Sequence, residues 1–191
     1  MNTDAARAPL AGRDAYPAWE RFDLRWDDAD RYGHVNNTVH YRLFDSAVNR
    51  WLLAAGLLEF ERGPICLVVE TSCRYAAPLD FPGTVEVGLA LERLGTSSMT
   101  WRLGLFGPGR AAAAEGRFVH VLVARDTRRP MPLAARWRDA FRSVAVNAPD
   151  APSGLGGGPG RGCARERPGP SDTARTTRAG GSSGAAREER P

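Results

Sequence analysis

Between Asp27 and Tyr41 the chain reads Asp27-Asp28-Ala29-Asp30-Arg31-Tyr32-Gly33-His34-Val35-Asn36-Asn37-Thr38-Val39-His40-Tyr41. Carboxylates, histidines and asparagines are thus crowded just ahead of a stretch with helical periodicity. The first amides of a helix have no partner inside it and carry the positive end of its dipole. They can therefore polarise a carbonyl or hold an oxyanion. A carboxylate beside them, Asp30 above all, has the chemistry of a nucleophile or of a general base that activates water. The same residue types also cap helices and fill solvated loops, and spacing does not separate these uses. Asp23, Asp27 and Asp28 are near in sequence but on different faces, so no second carboxylate is paired with Asp30.

The other titratable residues read more plainly. His34 either orients Asp30 or makes a hydrogen bond at the helix start. His40 is expected at the surface or an interface. His120 lies in an apolar alternating run, where a lone histidine is packing. The histidines are too scattered for a metal site, and Cys66, Cys73 and Cys163 lack metal-ligand spacing, so no metal is expected. Cys66 and Cys73 have no basic neighbour and read as buried thiols, consistent with a reducing cytoplasm.

The elements that must position this segment follow from periodicity. Arg21 to Trp26 reads as a first strand with Phe22, Leu24 and Trp26 on one face. A helix is predicted over 38–55, because Tyr41, Phe44, Val48, Trp51, Leu52 and Ala55 recur at three- and four-residue spacing. Asn36 or Asn37 can cap it, and Gly56 stops it. Strands are predicted over 65–75, 84–94, 98–106 and 111–124, with a turn at Gly107-Pro108-Gly109 and a closing helix over 133–144. One long helix after a first strand, followed by a meander of four strands, is an α+β pattern in which the sheet wraps the helix. Its open edge and second face argue for pairing with another copy.

Composition narrows the classes. The 191 residues are 42% hydrophobic and 25% charged, the balance of a globular domain. A formal charge of +4, with every basic residue Arg, gives no case for a nucleic-acid binder. No window holds the ~18 apolar residues of a membrane span. The first residues lack a basic start followed by an apolar core, so no signal peptide is expected and the location reads as cytoplasmic. Beyond Asn147 the chain carries 10 of the 21 glycines and none of the aromatic residues. Residues 147–191 therefore read as a disordered Gly/Pro/Arg-rich tail, residues 1–18 as a loose lead-in, and 19–146 as the domain.

Asp28-Ala29-Asp30-Arg31-Tyr32-Gly33-His34-Val35-Asn36-Asn37, followed by Tyr41 and Phe44-Asp45, closely resembles the DxDxxGHVNN…Y…FE pattern of hotdog-fold acyl-CoA thioesterases of the 4-hydroxybenzoyl-CoA thioesterase type. Arg74-Tyr75-Ala76-Ala77-Pro78-Leu79, Gly83, Glu115-Gly116 and Asp126-Thr127-Arg128-Arg129-Pro130 extend the resemblance over roughly residues 21–144. It implies a long central helix wrapped by an antiparallel sheet of about five strands, a homodimer or dimer of dimers, and active sites between protomers. It gives Asp30 the place of the catalytic carboxylate and Asn37 that of the residue whose backbone amide binds the thioester carbonyl. His34 joins them as a catalytic candidate. Gly33 would let the backbone approach the acyl group, and Val35 would line the same corner. Tyr41, Arg74, Tyr75 and Ser98 complete the substrate-binding candidates. Asp45 stands where the pattern has Glu.

The implied reaction is hydrolysis of an acyl-CoA or acyl-carrier-protein thioester to free acid and thiol, in fatty acyl metabolism. Coenzyme A enters as part of the substrate, and no separate cofactor is expected. Arg74, Arg93, Arg102, Arg128 and Arg129 are candidates for its phosphates, and Ser97, Ser98 and Thr100 for its pantetheine arm. Phe44, Trp51, Leu67, Val69 and Trp101 bear on acyl preference. Two other functions fit the same fold. A hydratase or dehydratase would need an acid-base pair such as Asp30 and His34, and a non-catalytic module would bind acyl thioesters without turnover.

Overall fold

The computed structural model describes residues 9–146, so the Gly/Pro/Arg-rich segment and Cys163 lie outside the described residues. Five antiparallel strands, β1 (Ala18–Asp23), β2 (Ile65–Tyr75), β3 (Thr84–Leu94), β4 (Ser98–Phe106) and β5 (Ala114–Val123), form one sheet in the order β1-β3-β4-β5-β2. The long helix α1 (Asn37–Ala54) packs on one face, and a short α2 (Ala135–Phe141) closes the domain. This is the hotdog α+β architecture. Among the described residues no helix is long and apolar enough to cross a membrane.

The helix face is the main core. Phe44, Ala47, Val48 and Leu52 recur at three- and four-residue spacing and are all fully buried. They meet Leu89, Trp101, Leu103 and Phe118, which alternation along β3, β4 and β5 turns toward the helix. At about 1.5–3 kcal/mol per buried large apolar side chain, this face supplies most of the stabilisation of the fold.

The other sheet face carries a second, smaller cluster, and here the sequence reading needs correction. The stretch before Trp19 is not a loose lead-in throughout: Tyr16 is 3% exposed and joins Ala90, Phe106 and Ala112, with Leu10, Ala11 and Val146 packed against them. Gly88 and Gly104 are register partners on β3 and β4. A Cβ on Gly88 would come within 2.6 Å of the Tyr16 ring, and one on Gly104 within 2.5 Å. Two facing glycines thus form the trough that seats Tyr16. Arg13 lies over Trp19, 4.3 Å from its ring, and holds the same segment down.

Two further boundaries and the strand order differ. The first strand is Ala18–Asp23 rather than 21–26, because Ala18, Trp19 and Glu20 also pair with β3 and the pairing ends at Asp23. Trp26 leaves the expected face, is 82% exposed and meets Phe81 edge-on. Only β3, β4 and β5 form a meander; β2 crosses to the far edge, against β5. The last strand begins at Ala114 rather than at 111. Along the open β2 edge, Val68 and Val69 are exposed at an irregularity in the pairing.

Candidate active site

The segment singled out by residue type lies between β1 and α1, and its backbone is closed by its own hydrogen bonds. Arg25 N–H donates to Asp28 Oδ2 at 2.8 Å, and the Asp28 carbonyl accepts from Asn36 N–H at 2.9 Å. Asp28 is buried and paired with Arg42, one turn into α1. The first Asp of the Asp-x-Asp pattern therefore ties the loop to the helix.

Asp30 lies two residues on, in a narrower turn. Its N–H donates to the His34 carbonyl at 2.9 Å, and its own carbonyl accepts from Gly33 N–H at 3.1 Å. Gly33 holds φ 83°, a backbone state that L side chains rarely adopt. The Asp30 carboxylate accepts a single short-range bond, from Tyr32 N–H at 2.8 Å. Its second oxygen has no partner among the described residues. The carboxylate is positioned without being neutralised by a cation, as a nucleophile or base requires.

Asn36 caps the helix: its side-chain oxygen accepts from Thr38 N–H at 2.9 Å and from the Thr38 hydroxyl at 2.8 Å. Asn37 is the first helical residue, and its amide has no partner among the described residues. A free N–H at the positive end of an 18-residue helix is thus left on the same loop as Asp30. Val35 is 4% exposed, bridges Ala29, and donates its N–H to Leu79 O at 2.7 Å, which clamps the loop to the β2–β3 connection.

The histidines meet expectation unevenly. His34 does not engage the Asp30 side chain; its Nδ1 lies 2.8 Å from Asp80 Oδ1 on the β2–β3 connection. His40 is 3% exposed rather than a surface residue. Its Nδ1–H donates to the Asn36 carbonyl at 3.1 Å and its ring meets Tyr75 edge-on. Burial pulls its pKa down, which keeps it neutral. His120 is packed at 1% exposure as expected, stacked on Phe118, and burial lowers its pKa to about 4.

The substrate-binding candidates divide by place. Tyr41 packs on Phe118 beside the helix start, and Tyr75 covers His40 at the end of β2. Arg74 faces Glu115 across the β2–β5 pair at 3.8 Å, and Arg102 is engaged by the Ala15 carbonyl and Glu92. Ser98 is not brought near: it opens β4 at the β3–β4 turn, opposite Val121, at the other end of the strands from Tyr75 and Asp23. Burial pushes the Cys66 thiol up to about 12, which makes it a poor nucleophile. Among the described residues no group of His, Cys, Asp and Glu could hold a metal ion.

Asp80 was missed by the sequence reading, and His40 was placed at the surface or an interface. Asp80 is 46 residues from its partner, and no local signal marks it. His40 is four residues after Asn36, a spacing that could have suggested the bond back to its carbonyl.

The thioesterase-like superfamily matches this chain over residues 24–141. Among solved structures, the PA5185 protein from Pseudomonas aeruginosa strain PAO1 is 44% identical, with a TM-score of 0.69, over 72% of this chain and 98% of that one. A thioesterase from Thermus thermophilus, complexed with coenzyme A and Zn, is 29% identical, with a TM-score of 0.60, over 69% and 96% of the two chains. Slr0204, a 1,4-dihydroxy-2-naphthoyl-CoA thioesterase from Synechocystis, is 18% identical at a TM-score of 0.59, over 65% and 94%, a likeness of fold alone. No protein of curated function matches the chain.

Proposed function

Because the chain belongs to the thioesterase-like superfamily, we propose that it hydrolyses acyl thioesters, and those of coenzyme A first among them, with Asp30 as the reacting carboxylate. The observation that carries this reading is the turn itself. Among the described residues, one carboxylate with no cation beside it and one helix-start amide with no acceptor stand on a single hydrogen-bonded loop.

A thioester carbonyl accepting from Asn37 N–H gains stabilisation as negative charge grows on its oxygen, about 3 kcal/mol for one such donor. Asp30 then adds to the carbonyl carbon and gives a mixed anhydride, or it takes a proton from the attacking water. Both routes end in cleavage of the carbon–sulfur bond. Gly33 leaves the acyl group room beside the backbone, while Val35, Tyr41 and Tyr75 give the corner its apolar and aromatic walls. Coenzyme A is the thiol half of the substrate, and the scheme calls for no further cofactor or metal.

A second copy of the chain completes the site in this reading. Val68 and Val69 along the open β2 edge, Trp26 against Phe81, and Tyr32 beside Asp30 are exposed in the single chain. A homodimer would bury such surface and enclose the substrate.

The test is release of free thiol from a panel of aromatic, short-chain, long-chain and carrier-protein thioesters, against a substrate-free blank. Asp30→Asn can still accept from Tyr32 N–H, so it is expected to fold normally and lose at least ~10²-fold in turnover. Full turnover in that variant would remove Asp30 from the reaction. The hydratase alternative draws less support, because the matching family model and the coenzyme A-bound neighbour are those of thioesterases. Loss of enoyl absorbance with no thiol released would favour it.

A further inference from the structure

We propose that Asp80 is a positioning residue that makes His34 the proton carrier of this hydrolysis. The inference rests on the thioesterase reading above and adds a second functional unit to it. His34 Nδ1 lies 2.8 Å from Asp80 Oδ1. A carboxylate only accepts, so Nδ1 carries the hydrogen, and Nε2 is the nitrogen left to gain and lose a proton.

Both side chains of the pair are exposed, 52% for His34 and 69% for Asp80, and what brings them together is the backbone on either side. Val35 N–H donates to Leu79 O at 2.7 Å, and Leu24 N–H donates to Gly83 O at 3.0 Å. These bonds fasten the β2–β3 connection to the Asp30 loop on both sides of Asp80, next to His34 on one of them. The His34 carbonyl accepts from Asp30 N–H, so imidazole and reacting carboxylate leave the same turn. The His34 side chain is 52% exposed, which leaves it open to a bound reactant.

The chemistry asks for such a group. An alkyl thiolate is a basic leaving group, with a thiol pKa of roughly 8.5, and an ionised Asp30 has no proton to give it. An imidazole has a nitrogen that can both give and take a proton. On the nucleophilic route, an Asp30 oxygen bonds to the carbonyl carbon, the carbon–sulfur bond breaks, and the proton on Nε2 passes to sulfur. Neutral Nε2 then takes a proton from water as the water oxygen adds to the anhydride carbon. The free acid leaves, and Asp30 returns as carboxylate beside a protonated His34.

The experiment compares two thioesters of one acyl group, the coenzyme A thioester and that of a far more acidic aryl thiol, by kcat/KM, which reports the steps through thiol release. His34→Asn keeps a donor toward Asp80 but has nothing at Nε2, and it should lose about 10²-fold on the coenzyme A thioester. Asp80→Asn should lose about 10-fold there, and Asp80→Glu should recover part of it. Both losses should largely vanish on the aryl thioester, whose thiolate needs no proton. Equal losses on the two substrates, or none, would overturn the proposal. If Asp80→Asn does not fold, the His34→Asn comparison decides alone. Asp30→Asn, measured beside them, separates the two readings. Its survival sinks the catalytic role of Asp30, whereas its loss on both thioesters with His34→Asn unimpaired sinks only the dyad.

Discussion

At the scale of single residues, two aspartates two positions apart carry different burdens. Asp28 is buried, paired with Arg42 and bonded to Arg25 N–H, so Asp28→Ala strands a cation and opens the loop. With Arg42 still half-exposed, we expect a cost of about 2–3 kcal/mol, read as a lower denaturant midpoint. Asp30→Asn should leave that midpoint within about 0.5 kcal/mol of the parent while removing turnover, since the amide keeps the bond from Tyr32 N–H and substitutions outside the core seldom cost more. His120 gives a pH signature. Its folded pKa of about 4 lies below the unfolded value near 6.5, so the unfolded chain binds more protons between them. Stability contributed by neutral His120 is present above pH 6.5 and is lost as pH falls toward 4, up to about 3 kcal/mol. His120→Leu should flatten that part of the stability profile relative to the parent, and an unchanged slope would show the ring is more solvated than its 1% exposure implies.

At the scale of elements, legibility tracked the range of the interactions. β2, β3, β4 and the body of α1 were readable because side-chain periodicity of two or about 3.6 is written locally. β1 was misplaced because Phe22, Leu24 and Trp26 also alternate, and alternation does not say that a chain turns away after Asp23. The seat for Tyr16 was invisible for the same reason: its walls are Gly88 and Gly104, more than seventy residues away. The Asp30 loop was legible as a motif, but the clamp that holds it, through Leu79 and Asp80, comes from the other side of α1 and β2. Gly104→Ala tests the seat directly. The added methyl cannot coexist with the Tyr16 ring, so the segment before β1 should lift, at a cost of about 1–3 kcal/mol, and become open to proteolytic clipping. A variant as resistant to protease as the parent would mean that the ring can shift sideways without leaving.

At the scale of the molecule, the uneven edges of the sheet matter most. β1 is short and braced, and beyond its start Leu91 bonds to residues 144 and 146, while the eleven-residue β2 is an edge strand of the described sheet with exposed Val68 and Val69. Pairing of copies along β2 predicts that Val69→Arg gives a smaller particle by light scattering and less thiol release per chain. Dimers of unaltered size would move the interface elsewhere. The small outer cluster has a consequence for how the chain can be rewired. Leu10 and Val146 pack against the same few side chains, so the two ends of the folded domain meet on one patch. A circular permutant that joins them with a short linker, and reopens the backbone at the exposed Gly109 hairpin, should keep every strand pair and remain a competent scaffold.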